Sequence, residues 1–203
     1  MQPKVSFFGW EATWGKALTL DQLQKRGWPL TNRCYLCQMH EESIDHILLH
    51  CGKTRTLWAL FFSLFRVQWV LPATIKETLL SWNRSLVGKK RKEVWRAGPL
   101  CIFWTVWKAR NSIAFEDDVL SIQRLKSSFV FLLWSETNLF IKDGPSTLVG
   151  FLDWVGSRWG WGFSYSVFDG GGVSSLYTLS RCFGSSFQYN FIFFTYQRKK
   201  NYP

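Results

Sequence analysis

The sequence predicts a mainly α-helical chain, and three observations carry that prediction. Upstream of residue 144, apolar residues recur at helical intervals in several separate stretches. Two of those helical stretches open with a capping-box pair, Thr19 with Gln22 and Thr74 with Glu77. Downstream of Gly144 the chain turns rich in Gly, Ser and aromatics, shows no period of 3.6, and alternates only in patches such as "FSYSVF". The expected organisation is a small Cys- and His-rich domain over 1–70, a helical extension over 71–144, and a poorly ordered, irregular or disordered tail over 145–203. No internal repeat is visible.

The elements follow in order. "TLDQLQKRG" is a helix that starts at Thr19, buries Leu20 and Leu23, and stops at Gly27. "ESIDHILLH" reads as a short helix with Ser43 as N-cap, ended by a left-handed Gly52. "TRTLWALFFSLF" spaces Leu57, Leu60, Phe61 and Leu64 for one buried face. "TIKETLLSWNRSL" offers Ile75, Leu79, Leu80 and Trp82 as an apolar side. "EVWRAGPLCIFWTVWKARNSIAF" is longer, and Gly98 and Pro99 place the start of its regular part near themselves. "SIQRLKSSFVFLLWSETNLF" is the last helix, ending before Asp143 and Gly144.

Composition narrows the function classes. Nearly half of the 203 residues are apolar, enough for a real core. No secretory signal and no apolar run of about 18 to 20 residues is present, so an intracellular location is expected. The formal net charge of +11 favours polyanionic partners, RNA or DNA before an anionic membrane surface. No small-molecule substrate is expected. Five cysteines cannot all pair within one chain, and in a reducing compartment their clustering points to metal.

That cluster is "CYLCQMHEESIDHILLHC", residues 34–51, which holds three cysteines and all three histidines of the chain. Structural zinc takes four thiolate or imidazole ligands in a tetrahedron. Cys34 and Cys37 have the Cys-x-x-Cys spacing that places two sulfurs on one ion from a tight turn. His46 and His50 lie four apart on one helix face, whereas Cys51 sits about 140° from His46 while the helix continues. With the helix stopped at Gly52, the Cys51 sulfur turns back. Two sets therefore remain: Cys34, Cys37, His46 with Cys51, or the same three with His50. Zinc's affinity for thiolate favours Cys51. His40 is expected to be a bystander. Four protein ligands leave no position for water, so the ion is structural.

The run "PKVSFFGWEATWGKALTLDQLQKRGWPLTNRCYLCQMHEESIDHILLHCGKTRTLW" resembles the zinc-binding domain that follows the reverse transcriptase in plant non-LTR (LINE-type) retrotransposons. The matching elements are Phe8 and Trp10 in an opening strand or turn and the Thr19–Gly27 helix. Cys34, Cys37, Glu41, Glu42, His46, Cys51 and Trp58 follow. Trp104, Trp107, Arg110 and Asn111 are similar to the Trp-x-x-Trp-x-x-Arg-Asn pattern downstream in those elements. The resemblance covers about residues 3 to 140. By position it implies Cys51 as fourth ligand. In the retroviral zinc knuckle a His follows the second Cys after four intervening residues. That place is Glu42 here, so knuckle chemistry is not carried over. The resemblance also implies a module that accompanies a polymerase and handles RNA or target DNA.

No catalytic constellation competes. "FEDD", Phe115–Asp118, follows a helical pattern and reads as a solvated helix end. "VFDGGG" holds Asp169, after which no carboxylate follows. Every histidine lies in the metal segment, and Cys101 reads as a small core residue. The expectation is a chain that is not an enzyme.

Candidate phosphate contacts are Arg26 and Arg33 before the cluster, Lys53 and Arg55 after it, and the run Lys89, Lys90, Arg91 and Lys92. That run also fits a nuclear-import signal, and a solvated loop between helices is the slightly favoured reading. Trp28 and Tyr35 are candidates for base stacking or for packing around the zinc; Trp58, Trp104 and Trp107 are expected in the core. The function expected is a non-catalytic zinc-binding module that contacts RNA or DNA electrostatically. The alternative is a structural or protein-interaction fragment of a decayed element.

Overall fold

The computed structural model describes residues 1–82, 87, 91–116, 118–138, 141, 145–156, 176–179 and 191–194. In order these form α1 (Pro3–Thr13), α2 (Leu20–Lys25), a π-helical turn (His46–His50), α3 (Gly52–Phe65), α4 (Ile75–Ser81), α5 (Lys92–Phe115), α6 (Ile122–Asn138) and α7 (Leu148–Gly156). Two strands follow, β1 (Leu176–Leu179) and β2 (Phe191–Phe194). The described chain is mainly helical, as the periodicity predicts. It divides into two units, Met1–Gly156 and Ser157–Pro203. Lys89, Lys90, Asp117, Asp143, Gly144 and Asp169 lie outside the described residues.

The first helix corrects the sequence reading. The segment around Phe8 and Trp10, expected as a strand or turn, is helical. Pro3 occupies the first turn, where its missing N–H costs nothing. Val5, Phe8, Gly9 and Ala12, at i, i+3, i+4 and i+7, are buried. Phe8 stacks on Trp107 at 5.1 Å and meets Trp104 edge-on at 5.8 Å, and Leu100 presses against the backbone at Gly9. Aromatics on the opposite face, Phe7 and Trp10, mask this period in the sequence.

Helix α2 ends as read and begins differently. Gly27 (φ 86°) donates to the Gln24 carbonyl at 2.9 Å, and Trp28 to Leu23 at 3.2 Å, which is a Schellman close. Its capping box stays open: the Thr19 hydroxyl turns to Asp21, and Leu20 N–H donates instead to Glu42 Oε1 at 3.1 Å. Thr74, by contrast, caps α4 as expected by accepting from Glu77 N–H at 3.2 Å. On α4 the buried positions are Ile75 and Thr78, followed by Trp82; Leu80, expected on that side, is exposed.

The core lies where α3 and α6 meet α5. Leu57, Leu60, Phe61 and Leu64 are buried as predicted, together with Trp58 and Phe65. Around Phe61 gather Trp82, Trp95, Phe65 and Phe129, with centroids 4.9 to 6.1 Å away. Trp82 and Trp95 stack in parallel at 4.4 Å.

Helix α5 begins at Lys92 and runs straight through Gly98 and Pro99, against the expectation that they mark its start. A proline inside a helix removes one N–H and strands the carbonyl four residues earlier, here that of Trp95. The Trp82 indole supplies the replacement donor, at 2.8 Å from that oxygen. Gly98 serves the same junction, since a Cβ there would collide with the Phe61 ring.

The stretch expected to be irregular, 145–203, contains α7 and both strands. Helix α7 buries Phe151, Leu152 and Val155 and contacts α3 and α6. In the second unit β1 and β2 pair antiparallel, Leu176 with Phe194 through Leu179 with Phe191. No helix among the described residues is long and apolar enough to cross a membrane.

Candidate metal centre

Two backbone devices bring the donors together. The first is the turn at Cys34–Cys37. The Gln38 N–H donates to the Cys34 carbonyl at 2.9 Å, Gln38 adopts φ 56°, and Cys34 N–H donates to His40 O at 2.8 Å. This tight loop aims the Leu36 and Cys37 amides at the Cys34 sulfur.

The second device replaces the expected end of the short helix. Ser43 does cap it, accepting from His46 N–H at 3.2 Å. The helix then widens into a π turn, with Cys51 N–H donating to His46 O at 2.6 Å. Closing on residue i+5 instead of i+4 brings Cys51 back over His46. The left-handed Gly52 is not needed: Cys51 itself goes extended (φ −56°, ψ 130°), and Gly52 opens α3. A π turn also shifts the carbonyl pairing, and two displaced acceptors are satisfied from α3. Thr54 donates its hydroxyl to Ile47 O, and the Trp58 indole donates to Leu48 O at 2.9 Å.

As a result, one donor atom from each of Cys34, Cys37, His46 and Cys51 lies within 4.8 Å of the others. His46 Nε2 is 3.4 Å from Cys37 Sγ. Bonds of about 2.0 to 2.3 Å to one tetrahedral zinc put donors roughly 3.3 to 3.8 Å apart, so the set has the right scale. His50 points away, its Nε2 held 2.9 Å from Ala73 O, which removes it as fourth ligand. His40 is exposed, its ring 5.4 Å from that of His46.

The electrostatics suit a cation. The Cys34 thiol hydrogen-bonds to the Cys51 sulfur; that bond first, then the Lys53 and Thr54 amides, holds Cys51 below the ordinary thiol value, against burial. The same bond, then burial, pushes Cys34 up. Cys51 sits at the N-terminus of α3, where unpaired amides and the helix dipole favour a thiolate. Three thiolates and one neutral imidazole, with amide donors behind two of the sulfurs, fit a structural zinc. Such an ion would supply cross-linking between the turn and α3 and leave no coordination position for substrate.

Around the donors is a polar scaffold that sequence reasoning did not foresee. Glu42 is fully buried and Arg110 nearly so. The Arg110 Nη2 donates to Glu42 Oε1 at 2.7 Å, and its Nε lies 3.2 and 3.3 Å from the two oxygens. The same carboxylate caps α2 and accepts from Tyr35 N–H at 3.4 Å, while Glu42 N–H donates to Asn32 Oδ1 at 2.7 Å. Arg110 also lies over the rings of Tyr35 (4.8 Å) and Trp107 (5.3 Å). Asp45 Oδ1 accepts from Ile75 N–H at 2.8 Å and so caps α4. Glu42 and Arg110 stood in the matching pattern, but no local signal pairs residues 68 apart.

The remaining candidates divide. Arg26, Arg33, Lys53 and Arg55 are exposed, and Trp28 is 60% exposed. Tyr35 is occupied by Arg110, which favours its packing reading. Trp58 is in the core as expected, while Trp104 and Trp107 are only half-buried. Arg91 donates to Val155 O at 2.7 Å and lies over Phe65, tying α7 to the core. Lys92 is half-buried at the start of α5. "FEDD" does end a helix: α5 stops at Phe115, and Asp118 is ion-paired to Arg124. Cys101 is buried, its thiol pushed up by burial and then by the Glu136 carboxylate. A cleft of about 760 Å³ between the start of α1, α5 and α6 contains no Cys or His in its wall.

Residues 1–58 match the family described as zinc-binding in reverse transcriptase. No curated protein and no solved structure matches the chain. The match spans the whole donor set and ends at Trp58, the residue whose indole locks the π turn.

Proposed function

We propose that this chain is a non-catalytic zinc-binding module of retrotransposon origin, of the plant LINE type, that holds RNA or DNA by charge. The zinc is structural, and the four-donor cluster joined to the matched family is the observation that carries the reading. The nucleic-acid contact is supported by the net charge of +11 and by the placement of four exposed cations. Arg26 and Arg33 precede the Cys-x-x-Cys turn, and Lys53 and Arg55 stand in the first turn of α3. None of the four forms an ion pair among the described residues. Arg91 is left out of the contact set because Val155 and Phe65 engage it.

Salt dependence tests this directly. Each phosphate neutralised adds a slope of about −0.9 on duplex, or −0.7 on single strands, to log affinity against log salt. Four contacts predict a slope of about −3.6 on duplex or about −2.8 on single strands, and exchanging all four residues for Ala should flatten it towards zero. Affinity unchanged between low and moderate salt, or no binding at all by the zinc-loaded chain, would overturn the proposal.

A further inference from the structure

The geometry points to a second feature, and we infer that the outward face of α1 is a stacking surface for unpaired nucleotides. This rests on the nucleic-acid reading above and adds to it a site and a strandedness. At about 100° per residue, Phe7, Trp10 and Trp14 fall within about 60° of one another, opposite buried Val5, Phe8, Gly9 and Ala12. They are 58%, 49% and 65% exposed. An apolar stripe on the core side is ordinary; three large aromatics on the far side of the same helix need a partner.

Charge selects the kind of partner. The Lys16 ammonium sits 4.9 Å over the Trp10 ring, and Lys4 sits 5.9 Å over Trp104 at the helix's other end. Lys16 reaches that place because the chain reverses at Gly15 (φ 61°), with Lys16 N–H donating to Glu11 O at 2.9 Å. Residues 1–33 hold five cations, Lys4, Lys16, Lys25, Arg26 and Arg33, against two carboxylates, Glu11 and Asp21. Asp21 is already paired with Lys25. Flat rings flanked by ammonium groups suit bases on the rings and phosphates beside them, an arrangement tolerant of sequence. Paired bases expose no face to stack on, so single strands are the ligand. Phe7 and Trp10 have centroids 5.8 Å apart at 32°, a ladder rather than a closed sandwich. A second copy of the chain is a poorer occupant. At 150–250 Å² for each large aromatic, the exposed part amounts to on the order of 300 to 400 Å² per copy. That is at most half of the roughly 800 Å² per partner usual in a stable interface.

The test uses the full zinc-loaded chain with a 12-nucleotide oligothymidylate and a duplex of equal length. The variants are Trp10→Ala/Trp14→Ala, Trp10→Phe/Trp14→Phe and Lys53→Ala/Arg55→Ala, each checked for zinc content and helicity. The double Ala variant should lose about 30-fold or more in single-strand affinity and less than about twofold on duplex. The Phe variant should recover most of the loss, and the Lys53/Arg55 variant should weaken both ligands. Equal single-strand binding by wild type and the double Ala variant overturns this inference while leaving the nucleic-acid reading standing. So does equal loss on both ligands, or a wild-type dimer that the Ala variant turns into a monomer. A wild-type chain that binds neither ligand overturns both.

Discussion

Residues 32–51 and the helices behind them belong to one unit yet are held by different physics. The front segment buries Leu36, Ile44, Ile47, Leu48 and Leu49, but its turns are fixed by directional contacts: four metal donors, the Glu42–Arg110 pair, and the caps from Ser43, Glu42 and Asp45. The rear is fixed by ring packing around Phe61. Directional contacts fail when one partner is removed, because each leaves an unsatisfied group behind. Ring packing fails in proportion to the volume removed. The two regions should therefore respond differently to the same kind of insult.

Metal removal should separate them most sharply. Structural zinc contributes apparent free energies of about 10 to 16 kcal/mol near neutral pH in small domains. A chelator is expected to unfold residues 32–51 while the α3–α6 aromatic signal persists, read by hydrogen exchange beside tryptophan fluorescence. Loss of both signals together would show that the rear depends on the front. Metal analysis should find one zinc in the wild type, almost none in Cys51→Ser, and one in His50→Ala.

Next come the two large truncations. Arg110→Ala leaves the Glu42 carboxylate buried and uncompensated, at a cost of about 3 to 5 kcal/mol. Trp95→Ala removes a ring from the core and should cost a similar ~3 to 5 kcal/mol. The discriminating measurement is zinc affinity, which Arg110→Ala should weaken and Trp95→Ala should leave alone. If both variants bind zinc equally well, the Glu42–Arg110 pair does not position the metal turn.

Gly98→Ala is smaller, about 1 to 3 kcal/mol by overpacking against Phe61. Exchanging Phe61 for Leu in the same chain should relieve it, a coupling that a double-mutant cycle would read.

The smallest effect is acid sensitivity at α2. Burial raises the Asp21 carboxyl, but hydrogen bonds from Thr19, Lys25 and Gln22 outweigh it and hold the group below 3.8. A depressed carboxyl contributes stability that is present above its ordinary value and lost as pH falls through the folded one. Asp21→Asn should flatten the stability profile below about pH 4 without changing zinc content.

Much of this was legible in advance, for a local reason. Helical spacing at Leu57, Leu60, Phe61 and Leu64 follows from one turn of backbone. The Cys-x-x-Cys turn is similarly a property of four neighbouring residues. Where reading failed, a distant partner had overruled the local rule. Pro99 looked like a helix start because its lost hydrogen bond is made good by Trp82, 17 positions away in sequence. Regular helix geometry leaves the fourth ligand open, because the π turn that selects Cys51 is locked from outside the segment by Thr54 and Trp58. In α1, apolar residues on both faces hid a period that burial makes plain.

The sequence by itself determined the donor types, the spacing of the first two ligands, the helical class and the excess of positive charge. These depend on side-chain chemistry and on repeats a few residues long. Tertiary structure alone decided that Glu42 meets Arg110, that Cys51 rather than His50 turns to the sulfurs, and that Trp10 and Trp14 remain uncovered. Each depends on which surfaces come together when the chain closes, and buried polar groups and solvent-facing rings acquire their meaning only from that closure.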